Sequence, residues 1–90
     1  MTRFEAKAFE DALPAQRNQI SGEMLFELGL AYSTGRNGIT DLVTAHKWFN
    51  IAAMRGKLEA ARYRAEIARE LNAMEIAEAQ RAAREWLDCA

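Results

Sequence analysis

Residues 25–56, LFELGLAYSTGRNGITDLVTAHKWFNIAAMRG, constrain this chain more than any other stretch. Between Met24 and Tyr32 the only charged residue is Glu27, and a helix apolar nearly all round must be enclosed on several sides. Between Asp41 and Met54 come the adjacent aromatics Trp48 and Phe49. Gly35 and Gly38 punctuate the sequence between these parts. The pattern predicts a helix, a tight turn and an antiparallel helix, with Gly29, Ala45, Ala52 and Ala53 letting the two backbones approach closely.

The flanking sequence extends this hairpin into an all-α fold of about five helices, arranged as antiparallel helix pairs. Ninety residues make one domain. Ala, Leu, Glu and Arg dominate and Pro occurs once, a composition that favours helix. A first helix is expected over residues 2–13, with a capping box at Thr2 and Glu5, an apolar side from Phe4, Ala8 and Phe9, and a stop at Pro14. The second is expected over residues 22–34, with Gly35 as a left-handed cap. Gly38 would serve a second turn, and Ile39 would fold back to plug the hairpin. Thr40 or Asp41 caps the third helix, whose stripe of Leu42, Ala45, Phe49 and Ala52 is widened by Trp48, and Gly56 ends it. The fourth spans residues 57–71. Its wide apolar face joins Leu58, Ala61, Ala65 and Ala68 to Ala60, Tyr63, Ile67 and Leu71. The fifth opens at a capping box of Asn72 and Glu75 and turns Ile76, Ala79, Ala83, Trp86 and Leu87 inward.

Two segments echo each other. Ala45-x-x-Trp48-Phe49 returns as Ala83-x-x-Trp86-Leu87, 38 residues on (86 − 48), a spacing found in repeats of helical pairs. The chain thus divides into an N-terminal helix and connection (1–20), one repeat (21–56) and a degenerate second repeat (57–90). With the preceding LGLAYSTG, the series Asp41, Ala45, Trp48, Phe49, Ala52, Ala53, Gly56, Ala60 resembles the Sel-1-like repeat, a relative of the tetratricopeptide repeat. The segment IAEAQRAAREWL is similar to the C-terminal part of small bacterial members of that family. The turn Gly35-Arg36-Asn37-Gly38 is one residue longer than the family's usual Gly-x-Gly, and the step from Gly38 to Asp41 is shorter. The resemblance implies a scaffold or adaptor that binds another protein, without catalysis.

Chemistry-bearing residues are sparse. His46 is the only histidine, too few for a histidine-based zinc site, and reads as a partly exposed residue of a helix surface. Cys89 is the only cysteine, so no internal disulfide forms. Ser21, Ser33 and Thr34 fall at helix ends, where hydroxyls cap. No nucleophile, phosphate-loop or zinc-protease motif occurs, so neither cofactor nor metal is expected. A net charge of −1, with basic and acidic residues interleaved between Arg55 and Glu70, gives no nucleic-acid footprint. No signal sequence or membrane span is evident, and a cytoplasmic protein is the expectation.

The first helix of each stacked pair tends to line the concave side of such repeats. The expected partner-binding residues are therefore Phe26, Glu27 and Leu30, with Arg62 and Tyr63. The competing expectation is that Phe4 and Phe9 cover this surface. A second functional expectation is a homodimer, formed because two repeats are few and an end carrying Trp86 and Leu87 could pair with a second copy.

Overall fold

A computed structural model describes Glu10, residues 20–36, Gly38 and residues 40–88. Among these residues the chain is all-helical, with no strand and with four helices rather than about five: α1 (Gly22–Thr34), α2 (Leu42–Met54), α3 (Glu59–Ala68) and α4 (Ala73–Asp88). The expected first helix, its cap and its apolar side lie outside the described residues except for Glu10, which is helical. Ile39 and Cys89 also lie outside them.

The local rules that set the helix ends are mostly side-chain hydrogen bonds. Ser21 caps α1, its hydroxyl accepting from the Met24 N–H at 3.2 Å. Asp41 caps α2, accepting from the Thr44 N–H at 3.1 Å and the Thr44 hydroxyl at 2.8 Å. At the start of α4 the capping box closes in both directions. Asn72 Oδ1 accepts from the Glu75 N–H at 2.8 Å, and Glu75 Oε1 accepts from the Asn72 N–H at 2.9 Å. Two otherwise orphaned donors are thereby satisfied. The Ser33 and Thr34 hydroxyls donate to the Leu30 carbonyl, serving the free carbonyls at the other end of α1.

Helix α2 ends in a Schellman motif. The Gly56 N–H donates to Ala53 O and the Lys57 N–H to Ala52 O, with Gly56 at φ +95°, a conformation that costs a residue with a Cβ about 1 kcal/mol or more. Helix α3 is shorter than the expected 57–71. Its N-cap is Leu58, which has no side chain to offer. The chain closes both ends with i→i+3 turns instead, Ala60 N–H to Lys57 O and Ala61 N–H to Leu58 O before it, and Arg69, Glu70 and Leu71 N–H to Glu66, Ile67 and Ala68 O after it. Such tighter turns take over where no cap residue exists.

Helix α2 is the hub, since each of the other three packs against it. Antiparallel α1 comes so close that a Cβ on Gly29 would sit 2.5 Å from Phe49 Cδ1 and Cε1. The Asp41 N–H to Tyr32 O bond, 3.0 Å, closes this hairpin at its loop end, and Gly35, at φ +76°, turns the chain there. The largest fully enclosed side chains, Phe49, Leu25, Leu28 and Ile51, belong to the hairpin, and Trp48 is 2% exposed. Helices α3 and α4 add Ala60, Ile67, Ala79 and Ala83 to the buried set, and Ile76 is half-buried. The wide face expected of α3 is narrower. Ala60 and Ile67 are buried, whereas Leu58 is 78% exposed and Ala65 is exposed. A helix laid against one partner hides one stripe, and α2 supplies α3 with one side only.

Candidate functional site

Three aromatic rings connect α1, α2 and α3. Phe26 meets Tyr63 edge-on at 5.2 Å, Phe49 lies 5.7 Å from Phe26, and Tyr63 lies 5.6 Å from Phe49. Edge-to-face and tilted contacts at these distances stabilise beyond area burial. One turn earlier, Lys57 Nζ bonds Glu23 at 2.6 Å, lies 3.5 Å from Glu59, and sits 5.1 Å from the Phe26 ring centroid. The hydrogen bond to Glu23 holds the Lys57 ammonium above its usual value. Glu23 facing Lys57 and Phe26 facing Tyr63 make α1 and α3 run in the same direction, side by side over α2.

The expected partner-binding residues separate on this framework. Glu27 and Arg62 are exposed, and Leu30 and Tyr63 are half-buried. Phe26, expected on the exposed surface, is 6% exposed. Its ring is enclosed by Phe49, Tyr63 and the Lys57 side chain, so it forms the floor between α1 and α3. The competing expectation, that Phe4 and Phe9 cover this surface, falls outside the described residues. Glu27 also lies 3.9 Å from Arg36, a surface pair worth little. The residues missed by sequence reasoning here are Glu23, Lys57 and Glu59. Glu59 is a near neighbour of Lys57 in sequence, but Glu23 is far from it and meets it only because α1 lies beside the α2–α3 turn.

His46 differs from the partly exposed residue expected. It is 3% exposed, and its buried Nδ1 meets no hydrogen-bond partner among the described residues. The reason is the position of α3 over this side of α2. One turn along, Arg64 Nη1 donates to Asn50 Oδ1 at 2.5 Å. Burial, and then the Arg64 charge, hold the imidazole pKa below its usual value, so the ring is neutral at pH 7.

The opposite side of the hub is built around Trp48. Its ring meets Trp86 edge-on at 5.6 Å, and the Arg55 guanidinium carbon lies 5.2 Å from the Trp86 ring centroid. Arg55 also donates to Ile20 O at 2.9 Å. Trp86 and Leu87, expected at an open end, are half-buried and packed on the core. The Glu10 carboxylate accepts from Trp48 Nε1 at 2.8 Å and from the Tyr32 hydroxyl at 2.5 Å. No sequence signal pairs an acid with donors 22 and 38 residues away. The only hint is that two large polar-tipped aromatics in a core need acceptors.

Among the described residues no group of three or more His, Cys, Asp or Glu is placed to hold a metal ion, and no helix is long and apolar enough to cross a membrane. A shallow open depression of about 510 Å³ is lined, among the described residues, by Asn72 and by side chains of α4 from Met74 to Arg81. Compared with known protein families, curated proteins and solved structures, the chain matches none.

Proposed function

We propose that this chain is a protein-interaction module, an adaptor without catalysis of its own, whose partner lies along the face shared by α1 and α3. The observation that carries the reading is the Phe26–Tyr63 contact at 5.2 Å. It joins α1 and α3 into one ridge bearing exposed Glu27 and Arg62 beside half-buried Leu30 and Tyr63. Partly exposed apolar side chains ringed by charges of both signs are what a protein partner of modest affinity requires. Exposed Met24 adds apolar area on α1. The helix pairs α1–α2 and α3–α4 read as two units of a short helical-repeat array, the second one open, with α3 and α4 each packed on α2 rather than on each other. The residue pattern from Leu28 to Ala60, which resembles the Sel-1-like repeat, supports that reading and the adaptor role with it.

The test is affinity capture by the immobilised full-length chain from a lysate of its source cells. Alongside the parent run Leu30→Glu, Arg62→Glu and, as a control on the outer face of α4, Glu78→Arg, each checked for helicity. A stoichiometric partner retained by the parent and the control, and lost by Leu30→Glu and Arg62→Glu, is the expected result. A partner lost equally by the control, or held equally by all four, overturns the placement. Phe26 is unsuited to this test because a charge there would enter the core.

A further inference from the structure

The chain's single histidine lies at the seam between α2 and α3, enclosed and with its Nδ1 unmatched among the described residues. A neutral imidazole can leave Nδ1 as a bare lone pair. An imidazolium cannot, because both of its nitrogens carry a proton and both must donate. Inside the closed seam the Nδ1 proton finds no acceptor among the described residues, and a buried donor left unmade is costly.

The charges around the ring place a cation badly. From α3, Arg64 acts on it, while Glu66 and Glu70 on that side of the chain are exposed. The two carboxylates of α1 are engaged elsewhere, Glu23 with Lys57 and Glu27 with Arg36. On α2 itself Asp41 caps Thr44 and Lys47 lies against the Trp48 ring, and Glu85 of α4 acts on that lysine. No carboxylate among the described residues offsets a positive His46, whereas water serves both ring nitrogens once the seam opens.

Helix α3 is also the one held least firmly. It is the shortest of the four, buries only Ala60 and Ile67, and has no side-chain cap at its N-terminus. The largest enclosed side chains belong to α1 and α2. Local opening starts with the element that has the fewest buried contacts.

We infer that His46 is a proton-operated latch, and that protonation of its ring frees α3 from α2 while the α1–α2 hairpin stays folded. Opening returns the ring toward its free pKa of 6.5. Below that pH the open form takes a proton that the closed form refuses, so opening becomes more favourable as pH falls. At pH 5 the gain is no more than about thirtyfold, the proton-binding factor of a free imidazole. Loss of α3 also breaks the Phe26–Tyr63 contact, so a partner on the α1–α3 face is released in acid. That consequence rests on the interaction reading; the opening itself does not, and its test uses no partner.

The experiment is amide hydrogen exchange of the full-length chain, read by NMR from pH 7.5 to 5 and corrected for intrinsic rates. Amides of α3 from Tyr63 to Ile67 should lose protection severalfold, up to the thirtyfold limit, while those of Leu28 and Phe49 keep theirs. In His46→Phe the α3 loss should vanish. Constant α3 protection, an equal loss in all four helices, or the same loss in His46→Phe overturns the inference. Should His46→Phe fail to fold, nitrogen-15 titration of the single imidazole in the parent decides. A ring midpoint below 6.5 that the α3 amide shifts follow supports the latch; a midpoint at or above that value, or α3 shifts that ignore it, refutes it.

Discussion

Gly29→Ala offers a quantitative test of how tightly α1 and α2 are packed. The added Cβ would lie 2.5 Å from two carbons of the Phe49 ring and 3.0 Å from a third. Carbon atoms in contact stand about 3.5–4.0 Å apart, so the ring or the helix must retreat by roughly 1 Å. Phe49 has little room to do so. It is fully buried, with Phe26 and Tyr63 at 5.7 and 5.6 Å. Overpacking a well-filled core costs about 1–3 kcal/mol. Against this, replacing Gly by Ala inside a helix contributes about 1 kcal/mol of propensity. With the ring confined, the strain falls in the upper part of its range and the net loss is about 1–2 kcal/mol. In a domain this size that lowers Tm by roughly 5–15 °C. Urea and thermal unfolding of the full chain, followed by far-UV circular dichroism, would measure it. Phe49→Leu removes the obstructing ring edge, so Gly29→Ala in that background should be neutral or stabilising. The resulting coupling energy is then at least about 1 kcal/mol. A Gly29→Ala chain as stable as its parent, with no coupling to Phe49, would refute the close-approach argument.

Three further expectations follow from the described contacts. His46 is neutral in the fold with a pKa below 6.5, so the unfolded chain binds the extra proton first. Its contribution to stability is present above pH 6.5 and is lost as pH falls through that value toward the folded pKa. Urea titrations between pH 7.5 and 5 should show a slope that His46→Phe reduces; an unchanged slope would count against a buried neutral ring. Asn72→Ala removes one half of the capping box and should cost about 1 kcal/mol in the same unfolding assay; a loss under ~0.3 kcal/mol would mean that the box is not formed in solution. Gly56→Ala forces a Cβ into φ +95° and should cost about 1–2 kcal/mol, even though nothing lies within 4 Å of the added atom; a neutral result would contradict the left-handed cap.

Local chemistry was legible from the residues alone. Ser21, Asp41 and Asn72 with Glu75 cap the helices they precede, and Gly35 and Gly56 end the ones they follow, because these rules act over a few residues. The burial of Phe49 and Trp48, and the contact of Gly29 with its neighbour helix, were also readable, since an apolar stretch with few charges has to be enclosed. The inward residues of α4 fell out of its spacing for the same reason. What could not be read was which faces meet. On α3 two candidate stripes were equally apolar, and only the single side offered by α2 decided that Ala60 and Ile67 are buried while Leu58 is exposed. Phe26 and His46 sit on faces that sequence leaves open, and the approach of α3 buried both. The bonds from Tyr32 and Trp48 to Glu10 depend on where a distant segment lies. Periodicity specifies each helix relative to itself, whereas the choice among neighbours is made by packing several apolar stripes at once around α2.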